Sequence, residues 1–141
     1  MPPRVRYDGY ADWYEGWNRP HAERNAAEVR ELLGPRRGLC LDLGCGGGLL
    51  AFYGAHPCFN GPHIEWKDDG GMRAHPAYRL AGWHQESPWW GEFVRKRVGM
   101  RHHPLADLLN AFINTGLAIE HITELGNRPV PIILGIRARK G

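Results

Sequence analysis

Apolar residues recur at helical spacing in two stretches of the chain. Leu105, Leu108, Leu109, Phe112 and Ile113 stand at i, i+3, i+4, i+7 and i+8, with Pro104 before them and Gly116 after. That pattern predicts an amphipathic helix over 104–115. Ala22, Ala26, Val29 and Leu33 recur at spacings of four, three and four. Asn18 can cap them, Pro20 suits a first turn and Gly34-Pro35 stops the run, so a helix from about 20 to 33 is expected. Upstream, 7–17 is rich in aromatics, but Gly9 and Gly16 limit it to a short helical turn.

Other runs suit strands. Leu39-Cys40-Leu41-Asp42-Leu43 is a short apolar run between glycines and reads as a buried parallel strand. Residues 49–55, Leu-Leu-Ala-Phe-Tyr-Gly-Ala, read as a strand ended by His56-Pro57 and Gly61-Pro62. The runs 117–123 and 132–138, parted by Gly126, Pro129 and Pro131, predict a hairpin-like closing pair. Between them, 63–99 holds Trp66, Trp83, Trp89 and Trp90 with no sustained period, an irregular aromatic lobe inserted before the last helix. No internal repeat is present.

At 141 residues the chain suits a single domain spanning 1–141, and 43% hydrophobic with 23% charged residues is a globular balance. Nineteen glycines and 11 prolines imply many turns. The longest apolar stretch, in 49–55, falls far short of the roughly 20 residues of a membrane helix. Arg4 and Arg6 precede no apolar core, so no secretory signal is read and a cytoplasmic location is expected. Cys40, Cys45 and Cys58 cannot all pair within the chain and form no Cys-x-x-Cys motif, which argues against a disulfide scaffold. The net charge of +3 is modest, and its basic clusters at 95–101 and 137–140 read as solvated surface before they read as a nucleic-acid patch.

The strand at 39–43 runs straight into Gly44-Cys45-Gly46-Gly47-Gly48. Glycines permit a tight turn and let a ligand approach the backbone closely. A dinucleotide fingerprint would need its third glycine at 49, where Leu49 stands. An acid two residues before the first glycine, with glycines at 44, 46 and 48, instead resembles the first motif of the class I S-adenosylmethionine-dependent methyltransferases.

That resemblance extends to both flanks. The lead-in with Tyr7, Tyr10, Trp13 and Tyr14, followed by a helix, is similar to the N-terminal cap of many small-molecule methyltransferases. The 104–115 helix and the two strands after it look like the family's last helix and closing antiparallel pair. The family's central strand-helix units have no counterpart: three of them, at about 30 residues each, would add on the order of 90 residues. Gly47-Gly48-Leu49-Leu50-Ala51-Phe52-Tyr53 resembles the segment in which a Pro-Gly-Gly turn introduces the fifth strand, so the first motif reads as joined to that strand through a shared glycine pair. The resemblance implies an α/β, reduced Rossmann-like fold of about four strands with a helix on each face. It implies methyl transfer to a small-molecule acceptor, with Asp42, Gly44, Cys45, Gly46 and Gly48 holding the methionine end of S-adenosylmethionine. So reduced a sheet buries less apolar area, which predicts marginal stability or a homo-oligomer.

For a general base, His56 is the candidate, because it follows a strand-like run where open α/β sheets place ligands. A histidine starting a Pro57 turn is the plainer reading. His84, His102 and His103 are weighed the same way, with His103 placed to cap the next helix. Glu65, Asp68 and Asp69 fall about 20 residues after the loop, the distance of a ribose-binding acid, but lie among Pro62, Trp66 and Gly70. His56, Cys58 and His63 match no zinc spacing, so no metal is expected. Trp83, Trp89 and Trp90 suit either an acceptor pocket or the private core of the lobe. The rival from another class is a non-catalytic remnant, a small α/β binding module; a nucleic-acid reading rests on Arg95, Lys96, Arg97 and Arg101 with the tryptophans.

Overall fold

The computed structural model describes residues 9–34, 49–91 and 94–140. The strand expected at 39–43 and the glycine loop after it lie outside the described residues. Among the described residues the chain is mixed α/β, with three helices and seven strands.

The strongest apolar stripe forms α3 (Leu105–Asn114), with Pro104 at its N-cap. The chain then turns through Gly116 into β6 (Leu117–Leu125) and returns as β7 (Ile133–Lys140), antiparallel to it. β1 (Leu49–Ala55) pairs with the other edge of β7, also antiparallel, giving the order β1-β7-β6. A parallel sheet is therefore not what the described strands build. The 126–132 connection is too short for the crossover of a dozen or more residues that a parallel pair requires, so β7 must run against its neighbour. Three of the four strands expected are in this sheet; the fourth, 39–43, lies outside the described residues.

β7 is covered on both faces in its middle. Leu134, Ile136 and Ala138 are buried on one face, where they pack with Phe112 of α3. Leu50 and Phe52 of β1 and Leu105, Leu108 and Leu109 of α3 complete this core, and Phe52 meets Phe112 edge-on with centroids 6.2 Å apart. On the opposite face, a Cβ at Gly135 would stand 2.8 Å from Thr123 and 3.2 Å from Leu32. Glycine there lets α1 (Ala11–Leu33) close on the sheet. Arg137 Nη1 donates to the Leu32 carbonyl at 3.2 Å, setting a cation at the negative end of that helix. A register shift between Ile119 and His121 makes Glu120 a bulge. Its carboxylate reaches Arg139 at 2.7 Å and Arg137 at 3.4 Å.

α1 is longer than its sequence suggests. It runs unbroken from Ala11, with Gly16 and Pro20 inside it, where a short turn and a later helix were expected. Pro20 cannot donate to the Gly16 carbonyl, but both residues are exposed, so water can satisfy that oxygen. Tyr14, Trp17 and His21 follow one another up the helix with ring centroids 5.8 and 6.0 Å apart, the first pair tilted and the second edge-on, the three- and four-residue contacts that reinforce successive turns.

The segment between β1 and α3 is a lobe. Within it β2 (Ile64–Trp66) pairs with β3 (Met72–Ala74), β4 (Gly82–His84) pairs with β5 (Met100–His102), and α2 (Val94–Val98) is a single turn. The expected irregularity of 63–99 is thus relieved by two ribbons. Strands of three residues are too short to print a two-residue period. No described helix is long and apolar enough to cross a membrane.

Candidate functional site

The lobe carries three of the most buried polar side chains described, His56, His63 and His102, each at most 3% exposed. The glycine-loop residues Asp42, Gly44, Cys45, Gly46 and Gly48 lie outside the described residues, so the site that can be built from geometry is this one.

His56 ends β1. Its backbone N–H donates to the Ile132 carbonyl at 2.9 Å, and Asn60 Nδ2 donates to the same oxygen at 2.9 Å. Its ring Nε2–H donates to Glu124 Oε1 at 2.7 Å, while Nδ1 accepts the Cys58 N–H at 3.1 Å. Those two bonds fix the neutral Nε2–H tautomer. With both nitrogens engaged and the ring buried, His56 presents no free lone pair to an acceptor. It acts as a clasp between the lobe and β6.

Below it sits a cluster of rings. His63 Nε2–H donates to the Cys58 carbonyl at 3.0 Å, and His102 Nε2–H donates to the Tyr78 carbonyl at 2.7 Å. Tyr78 lies against both rings, at 5.2 and 5.8 Å. Its hydroxyl oxygen accepts the Leu105 N–H at 2.9 Å, which leaves its hydrogen for the Cys58 sulfur at 3.8 Å. The first N–H of α3 is therefore satisfied by Tyr78. His103, expected as the cap, instead accepts from Arg101 Nε at 3.1 Å. Burial lowers the pKa of His63 against the smaller opposing effect of the Cys58 carbonyl. Burial also lowers that of His102, helped by His63, His84 and His103. Burial first, and then the Cys58 thiol, raise that of Tyr78. The result is a packed, uncharged group of titratable side chains at neutral pH.

A second pair lies on the β2–β3 ribbon. His75 Nε2–H donates to Glu65 Oε2 at 2.7 Å, a bond that holds the Glu65 carboxyl below its usual range. The His75 ring stacks on Trp89 at 3.7 Å with the planes 7° apart, and Trp89 Nε1 donates to the Pro62 carbonyl at 2.7 Å. Glu65 is thus occupied within the ribbon. Asp68 and Asp69 sit in its turn, where Asp69 Oδ1 accepts the Gly71 N–H at 2.9 Å. The three acids weighed for a ribose contact stand on one ribbon and not at the end of a strand of the main sheet.

The tryptophans are dispersed. Trp89 is committed to His75 and Pro62, Trp83 is 47% exposed, and Trp66 carries the Arg128 guanidinium 4.5 Å over its ring. The basic run at 95–97 is partly taken up as well. Arg97 lies 4.2 Å over the Trp13 ring, and burial pulls the Arg95 guanidinium down to about 10. Among the described residues no group of three His, Cys, Asp or Glu side chains is placed to hold a metal ion.

Several residues of these arrangements were not singled out by the sequence, among them His75, Tyr78 and Glu124. Each stands alone in its stretch, and only its partner across the fold gives it a role. Compared with models of known families, with curated proteins and with solved structures, the chain matches none of them.

Proposed function

We propose that this chain is an S-adenosylmethionine-dependent methyltransferase acting on a small-molecule acceptor, in a single, reduced Rossmann-like domain over 1–141. One observation carries the reading. The three segments that resemble late parts of that family, 49–55, the last helix and the closing antiparallel pair, pack as one unit, with β1 against β7 and α3 over both. The glycine run that resembles the cofactor motif ends at Gly48, directly before β1.

In this reading Asp42, Gly44, Cys45, Gly46 and Gly48 hold the methionine end of the cofactor. Their fit rests on donor chemistry: glycines leave backbone N–H groups open to a ligand, and Asp42 supplies a carboxylate for the amino group. The bound sulfonium supplies an already activated methyl group, so the chain's own task is to orient the acceptor and exclude water. With both nitrogens of His56 engaged, this reading suits an acceptor that needs no proton removed by that ring.

The same observation favours a second reading, a non-catalytic α/β binding module, since the candidate base is used to clasp the lobe to the sheet. A thermal melt with and without saturating S-adenosylmethionine separates the two. A ligand that binds only the folded state raises the midpoint by mass action, and about 100-fold saturation corresponds to roughly 2.7 kcal/mol. The methyltransferase reading expects an upward shift that Asp42→Ala removes; a cooperative melt indifferent to the cofactor supports the module.

A further inference from the structure

His63 and His102 have no task in either reading, yet they occupy the centre of the lobe. Their ring centroids are 5.6 Å apart, and His84 from β4 lies 6.0 Å beyond His102. The surroundings are ill suited to a second proton. His63 Nδ1 is buried without a hydrogen-bond partner among the described residues. It is pressed on Gly61, where a Cβ would stand 2.7 Å from that nitrogen. A proton added there would have no acceptor among the described residues, and a second one on His102 would place two buried cations with ring centroids 5.6 Å apart.

The groups facing the pair do not relieve this. Cys58 and the Tyr78 ring and hydroxyl face it from the two turns, His84 from β4 and His103 from the segment leading to α3. The acid that acts on this neighbourhood, Asp107 in the first turn of α3, acts on Tyr78. Neither His63 nor His102 donates to a carboxylate. His75 and His56 differ, since each faces one, Glu65 and Glu124.

The lobe also pairs its strands separately from the core. β2 pairs only with β3 and β4 only with β5, apart from the three-stranded sheet. The hydrogen bonds between lobe and core described above run through His56, Asn60 and the Tyr78 hydroxyl, beside two cation–π contacts, Arg97 on Trp13 and Arg128 on Trp66. The last of these hydrogen bonds leads straight from the histidine pair to the first N–H of α3.

We propose that His63 and His102 form a proton-sensitive latch: protonation of the pair opens the lobe, from about 56 to 103, while the sheet with α1 and α3 stays folded. The inference does not depend on the methyltransferase reading. Both rings are neutral in the closed lobe and lie below their ordinary range, so closure is fully supported above about pH 6.5 and is lost as the pH falls below it. Two protons taken up on opening change the open-to-closed ratio about 100-fold per pH unit.

The test is a titration of the full chain from pH 8 to pH 5, following tryptophan fluorescence and near-ultraviolet circular dichroism, to which the lobe contributes four of the six tryptophans, and far-ultraviolet circular dichroism for the core. The latch expects a steep lobe transition below about pH 6.5, with most of the far-ultraviolet signal retained. In His102→Gln, which keeps a donor for the Tyr78 carbonyl, the transition should fall to one-proton steepness and a lower midpoint. A lobe signal unchanged to pH 5, loss of lobe and core together, or an unaltered transition in His102→Gln would each overturn the proposal. Should His102→Gln not fold, ring titration by nuclear magnetic resonance on the unaltered chain decides. His63 and His102 changing only with the lobe transition supports the latch, and rings that titrate one by one in a native lobe refute it.

Discussion

The sheet core and the lobe solve the same problem with different materials. The core is held by apolar contacts: Leu134, Ile136 and Ala138 alternate along β7 and meet Phe112 and the leucines of α3. The lobe has ribbons of three residues and, at its centre, buried imidazoles that donate to main-chain carbonyls, His63 to Cys58 and His102 to Tyr78. His84, less deeply buried, does the same to Leu80 at 2.7 Å. A non-directional hydrophobic core tolerates a wide range of pH, because nothing in it titrates. A core of hydrogen-bonded rings holds turns that have few ladder bonds of their own, at the cost of sensitivity to a proton and to a shift of a few tenths of an ångström.

Breaking the first kind of core should do the most damage. Ile136 is fully buried in the middle strand, and Ile136→Ala should cost about 2–5 kcal/mol. In urea unfolding followed by far-ultraviolet circular dichroism, the midpoint should fall for lobe and sheet alike. An effect confined to the lobe probes would mean that the apolar cluster is not what holds the sheet.

A smaller and local loss is expected from Gly61→Ala. The new Cβ would stand 2.7 Å from the His63 ring and 3.0 Å from the Pro57 carbonyl. Overpacking of this kind costs about 1–3 kcal/mol. Near-ultraviolet circular dichroism should weaken while the far-ultraviolet signal stays, and an unchanged lobe signal would show that the ring has room to give.

Smaller again is Tyr78→Phe, which keeps the ring packing and removes the oxygen that accepts the Leu105 N–H. The expected loss is about 1 kcal/mol, the net worth of one hydrogen bond. Hydrogen exchange at Leu105 should quicken selectively. Equal protection in both chains would mean that another acceptor caps α3.

The core was legible in the sequence because its elements are long enough to carry a period. The stripe from Leu105 to Ile113 announced α3, 49–55 announced β1, and the two runs parted by Pro129 and Pro131 announced the closing pair. The extent of α1 was not legible, since Gly16 and Pro20 are breakers by propensity and only their exposure makes them harmless. The lobe was hardest to read. His56 drew attention by its position, but nothing local marks Glu124, 68 residues away, as its partner. Tyr78 likewise meets Leu105 across 27 residues.

By itself, then, the sequence determined the apolar faces and the turns of the core, which depend on neighbours within a few positions. Only the tertiary structure decided that β1 pairs with the other edge of β7, antiparallel to it, and that His56 is a clasp. It alone made His63 and His102 a buried pair. The reason is physical: periodicity records which side of an element avoids water, whereas the state of a titratable ring is set by what surrounds it in space, and those surroundings come from distant parts of the chain.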